Sequence, residues 1–521
     1  MKKKGPNFIE QIIDGDISRG FKKDDLRFRF PPEPNGYLHI GHLKAICLNF
    51  NLGEKYGAPV NLRFDDTNPE KEAKEYVDAI KNDILWLGYK WNKECYASDY
   101  FEQLYNWALV LIEKDLAYID SQSSEDIANQ KGTPTKEGKA SPHRDRDKEE
   151  SLKVFKEMYN GEHKQGEHVL RAKINMSSPN MLMRDPVIYR VMDSNHHRTG
   201  DRWKIYPMYD WTHGESDYIE QVSHSLCTLE FEPHRELYDW FLDSISPLEG
   251  IRPKQREFSR LNLSYTITSK RNLAKLVEEG VVDGWDDPRM PTISGLRNRG
   301  YTPESLKSFA LTVGISKREN VIDVSLLEFC VRTHLNEEAP RAMAVLDPLK
   351  ISIINYNENK EESVNFDINP QKPGQGKREI LFSKNIYIER EDFQENPEEG
   401  FFRLSPGEEV RLKNAYIIKA KNIIKNEEGQ ITEVECEYDE KSKSGSNTEE
   451  SNRKVKATIH WVSAETAVEA TINIYDRLFK VPEPGKSQDL LSEVNENSLE
   501  IKSAKVEPYL ASAKEGDHFQ F

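Results

Sequence analysis

The 521-residue chain carries 73 Lys and Arg against 89 Asp and Glu, a net charge of −16, with 37% hydrophobic and 31% charged residues. That length makes room for roughly three to five domains. No apolar run approaches the roughly 18 residues of a membrane span, and the basic start Met1-Lys2-Lys3-Lys4 has no apolar segment behind it, so neither a membrane nor a secreted protein is expected. Cys47, Cys95, Cys227, Cys330 and Cys436 lie far apart and form no Cys-x-x-Cys pair, so neither a disulfide framework nor a structural zinc knuckle is suggested, and a reduced, cytoplasmic setting is expected. The acidic balance alone argues against a nucleic-acid partner, but a basic face can coexist with an acidic back.

In chain order, Leu26, Phe28 and Phe30 alternate with Arg27 and Arg29, the periodicity of a strand. Pro31, Pro32 and Pro34-Asn35-Gly36 end it in a tight loop. Leu43, Ile46, Cys47 and Phe50 then make the stripe of an amphipathic helix. A second strand, Val60 to Phe64, runs into Asp65-Asp66-Thr67, and Glu70 to Leu87 reads as helix. Strand, loop, helix, strand, helix opens a parallel α/β sheet. Ligands in such sheets sit beyond the carboxyl ends of the strands, which places the Pro31–His42 loop and Asp65 at one crevice. Residues 120–150 are polar and read as exposed connections; apolar order returns from Val169 to Tyr209. Ser305 to Leu335 is helical by pattern. After Pro348 short strands (Ile351 to Ile354, Ile380 to Ile388, Val410 to Ile418, Ala457 to Val462) predict one or two barrels, with Tyr438 to Arg453 a solvated loop. No internal repeat is visible.

His39-Ile40-Gly41-His42 puts two imidazoles where a loop enters a helix, whose free N–H groups and dipole suit phosphate. The imidazoles can donate to charge that builds on phosphorus, and Gly41 leaves room for close approach of a ligand. One His pair alone is more often a helix cap. The whole string Pro31-Pro32-Glu33-Pro34-Asn35-Gly36-Tyr37-Leu38-His39-Ile40-Gly41-His42 resembles the HIGH motif of class I aminoacyl-tRNA synthetases nearly letter for letter. Ile267-Thr268-Ser269-Lys270-Arg271 resembles the second, KMSKS motif of that family, with Thr268 where Met is usual.

The resemblance covers nearly the whole chain and points to the glutamyl/glutaminyl group, to its glutaminyl members first. It implies a multidomain α/β plus β fold. Residues 1–100 and 208–260 would form a Rossmann-type catalytic domain, and 101–207, with Met183-Arg184-Asp185-Pro186, an inserted domain that binds the acceptor end. Residues 261–338 would be a helical connection containing Gly284 to Thr292, and 339–521 two β-barrels for the anticodon. It implies ATP-dependent activation of L-glutamine and transfer to the 3′ end of tRNA(Gln), by a monomer, with Mg²⁺ held mainly by phosphates and no protein metal ligands. His39, His42 and Lys270 are the implied catalytic residues. ATP would be held by Glu33, Pro34, Asn35, His39, Ile40, Gly41, His42, Leu43, Lys44, Ala45, Thr228, Arg260, Leu261, Thr268, Ser269 and Lys270.

Glutamine would be held by Arg29, Asp65, Tyr209, Cys227 and Gln255, with Tyr206 to His213 a substrate-facing strand and Ser223 to Glu230 a helix beside it. The tRNA would meet Ser316, Lys317, Arg318, Glu319, Asn320, Val321, Ile322 and Asp323, and its anticodon Arg341, Arg403 and Arg411. Two departures stand out. Pro233 replaces an Asp that reads the acceptor stem in bacterial relatives, and the chain stops at Phe521 where relatives run on, which implies a truncated anticodon region. The alternatives are a glutamyl enzyme, a non-catalytic tRNA-binding paralogue and, last, another nucleotidyltransferase. Cys227, where glutamyl enzymes tend to place Arg, favours glutamine.

Overall fold

The computed structural model describes residues 5–521 apart from Lys71, Ser246, Asn359 and Glu361, so the basic start Met1–Lys4 lies outside the described residues. The chain divides into two compact units. One comprises residues 1–297, 306–326 and 482–488, the other 298–305, 327–481 and 489–521.

The first unit begins with helix α1 (Phe8–Ser18), whose start is a capping box: Asn7 Oδ1 accepts from the Ile9 and Glu10 N–H groups while Glu10 accepts from the Asn7 N–H. Next come β1 (Phe28–Phe30), α2 (Ile40–Tyr56), β2 (Val60–Phe64), α3 (Lys74–Trp86) and β3 (Glu94–Tyr96). β1, β2 and β3 are parallel, with Phe28 opposite Val60 and Phe64 opposite Tyr96. α2 ends where Gly57 takes a left-handed conformation at φ 68°, as a helix C-terminus favours.

After α4 (Phe101–Glu113) the strands β4 (Ala117–Asp120), β5 (Val169–Ala172), β6 (Val187–Val191) and β7 (Ile205–Pro207) form an antiparallel sheet in that order. Between β4 and β5 lie α5 (Ser124–Gln130) and α6 (Lys148–Asn160), so residues 120–150 are more than connections. Buried Arg184 donates to the carbonyls of Lys131, Thr133 and Lys136, and Asp185 accepts from Arg144 Nε at 2.7 Å. The Met183–Pro186 string thus pins the polar segment.

α7 (Tyr209–Ile219) follows, then β8 (His224–Thr228), α8 (Arg235–Ser244) and β9 (Lys254–Phe258). Two expectations are corrected here. The strand over Tyr206–His213 stops at Pro207 and Tyr209 begins a helix; Ser223–Glu230 is the strand β8 followed by a short 3₁₀ turn. A parallel strand buried on both faces shows no alternation, so β8 is not distinguishable from helix by period. β8 pairs in parallel with β9, and the Ser223 N–H donates to the Arg27 carbonyl, which sets β8 beside β1. The loops after β1, β2, β8 and β9 therefore open at one edge. β10 (Asn262–Leu263), α9 (Lys270–Glu278) and a parallel β11 (Val321–Ile322) complete what positions the site.

The second unit is β-rich. Its largest sheet has seven strands, among them Pro348–Ile353, Asn385–Glu389, Glu409–Leu412, Ile417–Lys425 and Ile431–Tyr438, around a core containing Trp461, Phe382 and Val434. Leu499–Val506 pairs with Val468–Tyr475 and with Ala344–Val345 in another sheet. The expected strand from Ile380 to Ile388 is two, Lys377–Phe382 and Asn385–Glu389, and Val410 to Ile418 is a hairpin. No helix among the described residues is long and apolar enough to cross a membrane.

Candidate active site

His39 is the N-cap of α2, and its Nδ1 accepts from the Gly41 N–H at 3.2 Å. The His39 N–H in turn donates to His42 Nδ1 at 3.1 Å. Both Nδ1 atoms are acceptors, so each neutral ring carries its proton on Nε2. Burial and the neighbouring Lys270 hold His39 down at about 3; burial, His39 and Lys270 hold His42 well below the usual range. The ring centroids lie 3.9 Å apart, giving two adjacent uncharged N–H donors at a helix start. The space beside Gly41 is taken from within: an added Cβ would lie 2.9 Å from the His39 ring and 3.5 Å from the Thr268 methyl. Gly41 thus serves the pair's own packing, and Thr268 fills the place where a longer side chain was expected.

Lys270 opens α9 and bonds Asn35 Oδ1, while Asn35 bonds Glu33. Its stem runs along Gly36, 3.5 Å from where a Cβ would stand. Burial lowers its pKa, opposed by Glu33 and Glu72. Lys44, 3% exposed, donates to Ser259 Oγ at 2.9 Å, and burial lowers it to about 8. Leu43 is fully buried against the core, Leu261 is 2% exposed, and Arg260 reaches Glu230 and Glu319 at 3.6 and 3.7 Å. Thr228 donates to Glu230 at 2.9 Å.

A second cluster lies under the ends of β1, β2 and β8. Arg29 donates to Asp217 Oδ1, the Leu226 carbonyl and Ser225 Oγ, and its Nη2 lies 3.7 Å from Cys227 Sγ. Arg63 donates to the same Asp217 oxygen at 2.7 Å. Tyr209, His213 and Asp217 are spaced by four along α7 and share one face. Tyr209 stacks on His213 at 5.1 Å, and His213 Nε2 is 3.6 Å from Cys227 Sγ. Burial pushes His213 down to about 3 against the pull of Asp217. Gln255 donates to the Phe231 carbonyl and to Glu257, while its buried Oε1 finds no donor among the described residues. Asp65, 6% exposed, also has an orphaned Oδ1, and burial plus Glu33 raise it to about 7.

Asp217 escaped the sequence reading. Its signal was the four-residue spacing Tyr209-His213-Asp217, legible only once the segment is a helix.

Of the other expected contacts, residues 317 to 321 are exposed beside β10. Arg341 bonds the Ala339 and Asn336 carbonyls, Arg403 pairs with Asp392, and Arg411 donates to the Ser442 and Ser451 carbonyls. Arg411 thereby organises part of the Tyr438–Arg453 loop.

The family model for the catalytic domain of "tRNA synthetases class I (E and Q)" matches residues 25–337, and models for the anti-codon binding domain of the same group match residues 339–439 and 458–521. The chain belongs to the class I tRNA synthetases of the E and Q group. Similar class I synthetases include the glutamine–tRNA ligases of Vibrio vulnificus (strain YJ016), 53% identical over 99% of this chain and 92% of that protein, and of Haemophilus influenzae, 54% identical with the same coverage. A crystal structure of a glutamate tRNA ligase from Elizabethkingia meningosepticum aligns with TM-score 0.45 and 16% identity, over 60% of this chain and 70% of that one. Class I synthetases use ATP, and the neutral His pair with Lys270 stands at the edge where a parallel sheet binds its ligands.

Proposed function

We infer that the chain is a glutamine–tRNA ligase, which activates L-glutamine with ATP and passes the glutaminyl group to the 3′ end of tRNA(Gln). The observation that carries the chemistry is the convergence of two neutral Nε2–H donors, on His39 and His42, with Lys270 at one loop. The identity of the relatives, which are named glutamine–tRNA ligases, carries the amino acid.

In this reading the glutamine carboxylate attacks the α-phosphorus of ATP, the bond to the β,γ-diphosphate breaks, and pyrophosphate leaves. His39 and His42 donate to the oxygens that gain charge, without a proton to lose first. Lys270 exchanges Asn35 for the departing phosphates. A terminal ribose hydroxyl of tRNA then attacks the acyl carbon, and AMP leaves. No protein nucleophile is needed; positioning supplies much of the rate. Thr268, Ser269, Arg260 and Leu261 flank the nucleotide, with Glu33 to Asn35 and Ile40 to Ala45 on its other side.

Asp65 takes the α-ammonium, and Gln255 Oε1 and Tyr209 meet the side-chain amide. Arg29 is almost fully engaged inside the protein, so it acts chiefly by fixing Cys227 and β8. Hard oxygen donors suit Mg²⁺, but Asp65 and Glu72 are buried with raised pKa values and Glu33 is held by Asn35. ATP phosphates and water would therefore supply most of the cation's ligands. Residues 316–323 and Arg341, Arg403 and Arg411 are the proposed tRNA contacts, in a cytoplasmic monomer.

The test is aminoacylation of total tRNA with labelled glutamine and, separately, labelled glutamate, with His39→Ala as control. Glutamine loading that the variant loses supports the reading; glutamate loading overturns the amino acid and leaves the chemistry standing.

A further inference from the structure

On the first unit an open groove of about 820 Å³ is walled by α1, β9 and the turn at residues 316–318. Its lining brings together Arg19, Arg256, Lys317 and Arg318, with Asp16 the carboxylate among the lining residues. Asp16 is shared by Arg19 at 2.5 Å, His224 at 3.2 Å and Lys254 at 3.6 Å; it offsets part of the charge, and four cations against one carboxylate leave the lining basic. Lys317 Nζ rests 5.4 Å above the Phe8 ring, a cation–π contact that holds it over the apolar floor.

Strand β9 links this groove to the candidate active site. Successive residues of a strand face opposite ways. Gln255 and Glu257 are 2% exposed and face the amino-acid pocket, where they bond each other. Lys254 and Arg256 face the other way, Arg256 with its Nη1 on the Gln255 carbonyl at 2.8 Å. Arg19 caps the C-terminus of α1, ahead of residue 25, where the catalytic family model begins its match. Its side chain is 71% exposed. Long cations around an open groove fit a sugar–phosphate backbone: phosphate contacts position a nucleic acid without reading its sequence.

We propose that this groove binds backbone phosphates of the tRNA substrate, with Arg19 and Arg256 adding two phosphate contacts beside Lys317 and Arg318. The proposal rests on the ligase reading and extends its RNA surface onto α1 and the outer face of β9.

The test uses the full chain, its Arg19→Ala, Arg256→Ala and double variants, and the Arg19→Lys/Arg256→Lys pair. Binding of transcribed tRNA(Gln) is titrated between 50 and 200 mM KCl. Each lost phosphate contact lowers the slope of log affinity against log salt by about 0.7–0.9. The double alanine variant's deficit therefore shrinks by about tenfold across that range, while the lysine pair keeps the wild-type slope and KM for ATP and glutamine does not move. A wild-type slope in the double variant, with tRNA(Gln) still charged, overturns the groove alone. A wild-type chain that binds no tRNA overturns the ligase reading and this proposal with it.

Discussion

Arg29 Nε donates to Asp217 Oδ1 at 2.8 Å, with neither side chain exposed to solvent. The same oxygen takes Arg63, and the other takes Ser225 Oγ at 2.6 Å and Tyr238 at 3.0 Å. One carboxylate thus ties β1, β2, β8, α7 and α8 beneath the proposed amino-acid pocket. The two arginines hold Asp217 ionised far below the usual carboxylate range despite burial. Removing one partner of a buried ion pair costs about 3–5 kcal/mol, because the other charge is left unpaired. Asp217→Asn is expected to lose that much in urea unfolding and to raise KM for glutamine more than KM for ATP. A variant of wild-type stability would show that the pair is not the tie.

Cys227 lies between Arg29 and His213, at 3.7 and 3.6 Å. The pocket already sets Arg29 and Arg63 against Asp217 and Glu220, two charges against two. Cys227→Arg adds an uncompensated cation, which favours a side-chain carboxylate and leaves an amide poorly matched. Buried polar mismatch discriminates by up to about 10⁴–10⁵ in kcat/KM. The expected outcome is a ratio of glutamine to glutamate use that falls by at least about a hundredfold, read in parallel charging assays. Unchanged selectivity would count against the side-chain assignment.

Asp65 is raised to about 7 by burial and by Glu33. If its carboxylate holds the α-ammonium, kcat/KM for glutamine falls as pH drops through about 7, since that parameter follows the free enzyme. Glu33→Gln removes a repelling charge and moves this limb to lower pH. Stability runs the other way. A carboxyl raised above its unfolded value costs the fold stability as pH rises from about 4 to 7. Asp65→Asn therefore melts higher than wild type at pH 8 and level with it near pH 4. A limb that ignores Glu33→Gln would separate the pH dependence from Asp65.

Much of the first unit was legible because its signals are local. Phe28, Phe30, Leu62 and Phe64 mark the strands, and the string from Pro31 to His42 marks the loop where Lys270 arrives. What escaped depends on contacts distant in sequence. Arg27 and Arg29 read as one polar face of a strand, yet Arg29 is fully buried because its counter-charge comes 188 residues later. Tyr209 and Asp217 share a face only on a helix, and β8, buried at four of its five positions, has no alternation to mark it as a strand. The resemblance assigned Arg411 to the anticodon, while the four bonds of its guanidinium to residues 442–453, with partners 31 to 42 residues away, left no mark in the sequence.

His196 supplies the last prediction. Its Nδ1 accepts from the Arg198 and Thr199 N–H groups at 3.1 and 3.2 Å, so its proton is on Nε2, which donates to the Asp66 carbonyl at 2.8 Å. Asp66, His196 and His197 bring three ligand-type atoms within 4.8 Å, but a ring with Nδ1 so engaged has no free Nε2 lone pair for a metal. The ring is instead a latch. It ties the turn between β6 and β7 to the loop after β2, next to Asp65, while Asp66 holds Ser98 through both carboxylate oxygens. His196→Ala releases that carbonyl and lets Asp65 shift, and misplacement of about 1 Å can cost about a hundredfold. KM for glutamine is expected to rise with KM for ATP little changed, and His196→Gln, which keeps an amide N–H to offer, to recover part of the loss. Added zinc leaves wild type and variant alike. Equal rises in both KM values would mean that the latch holds the fold and not Asp65.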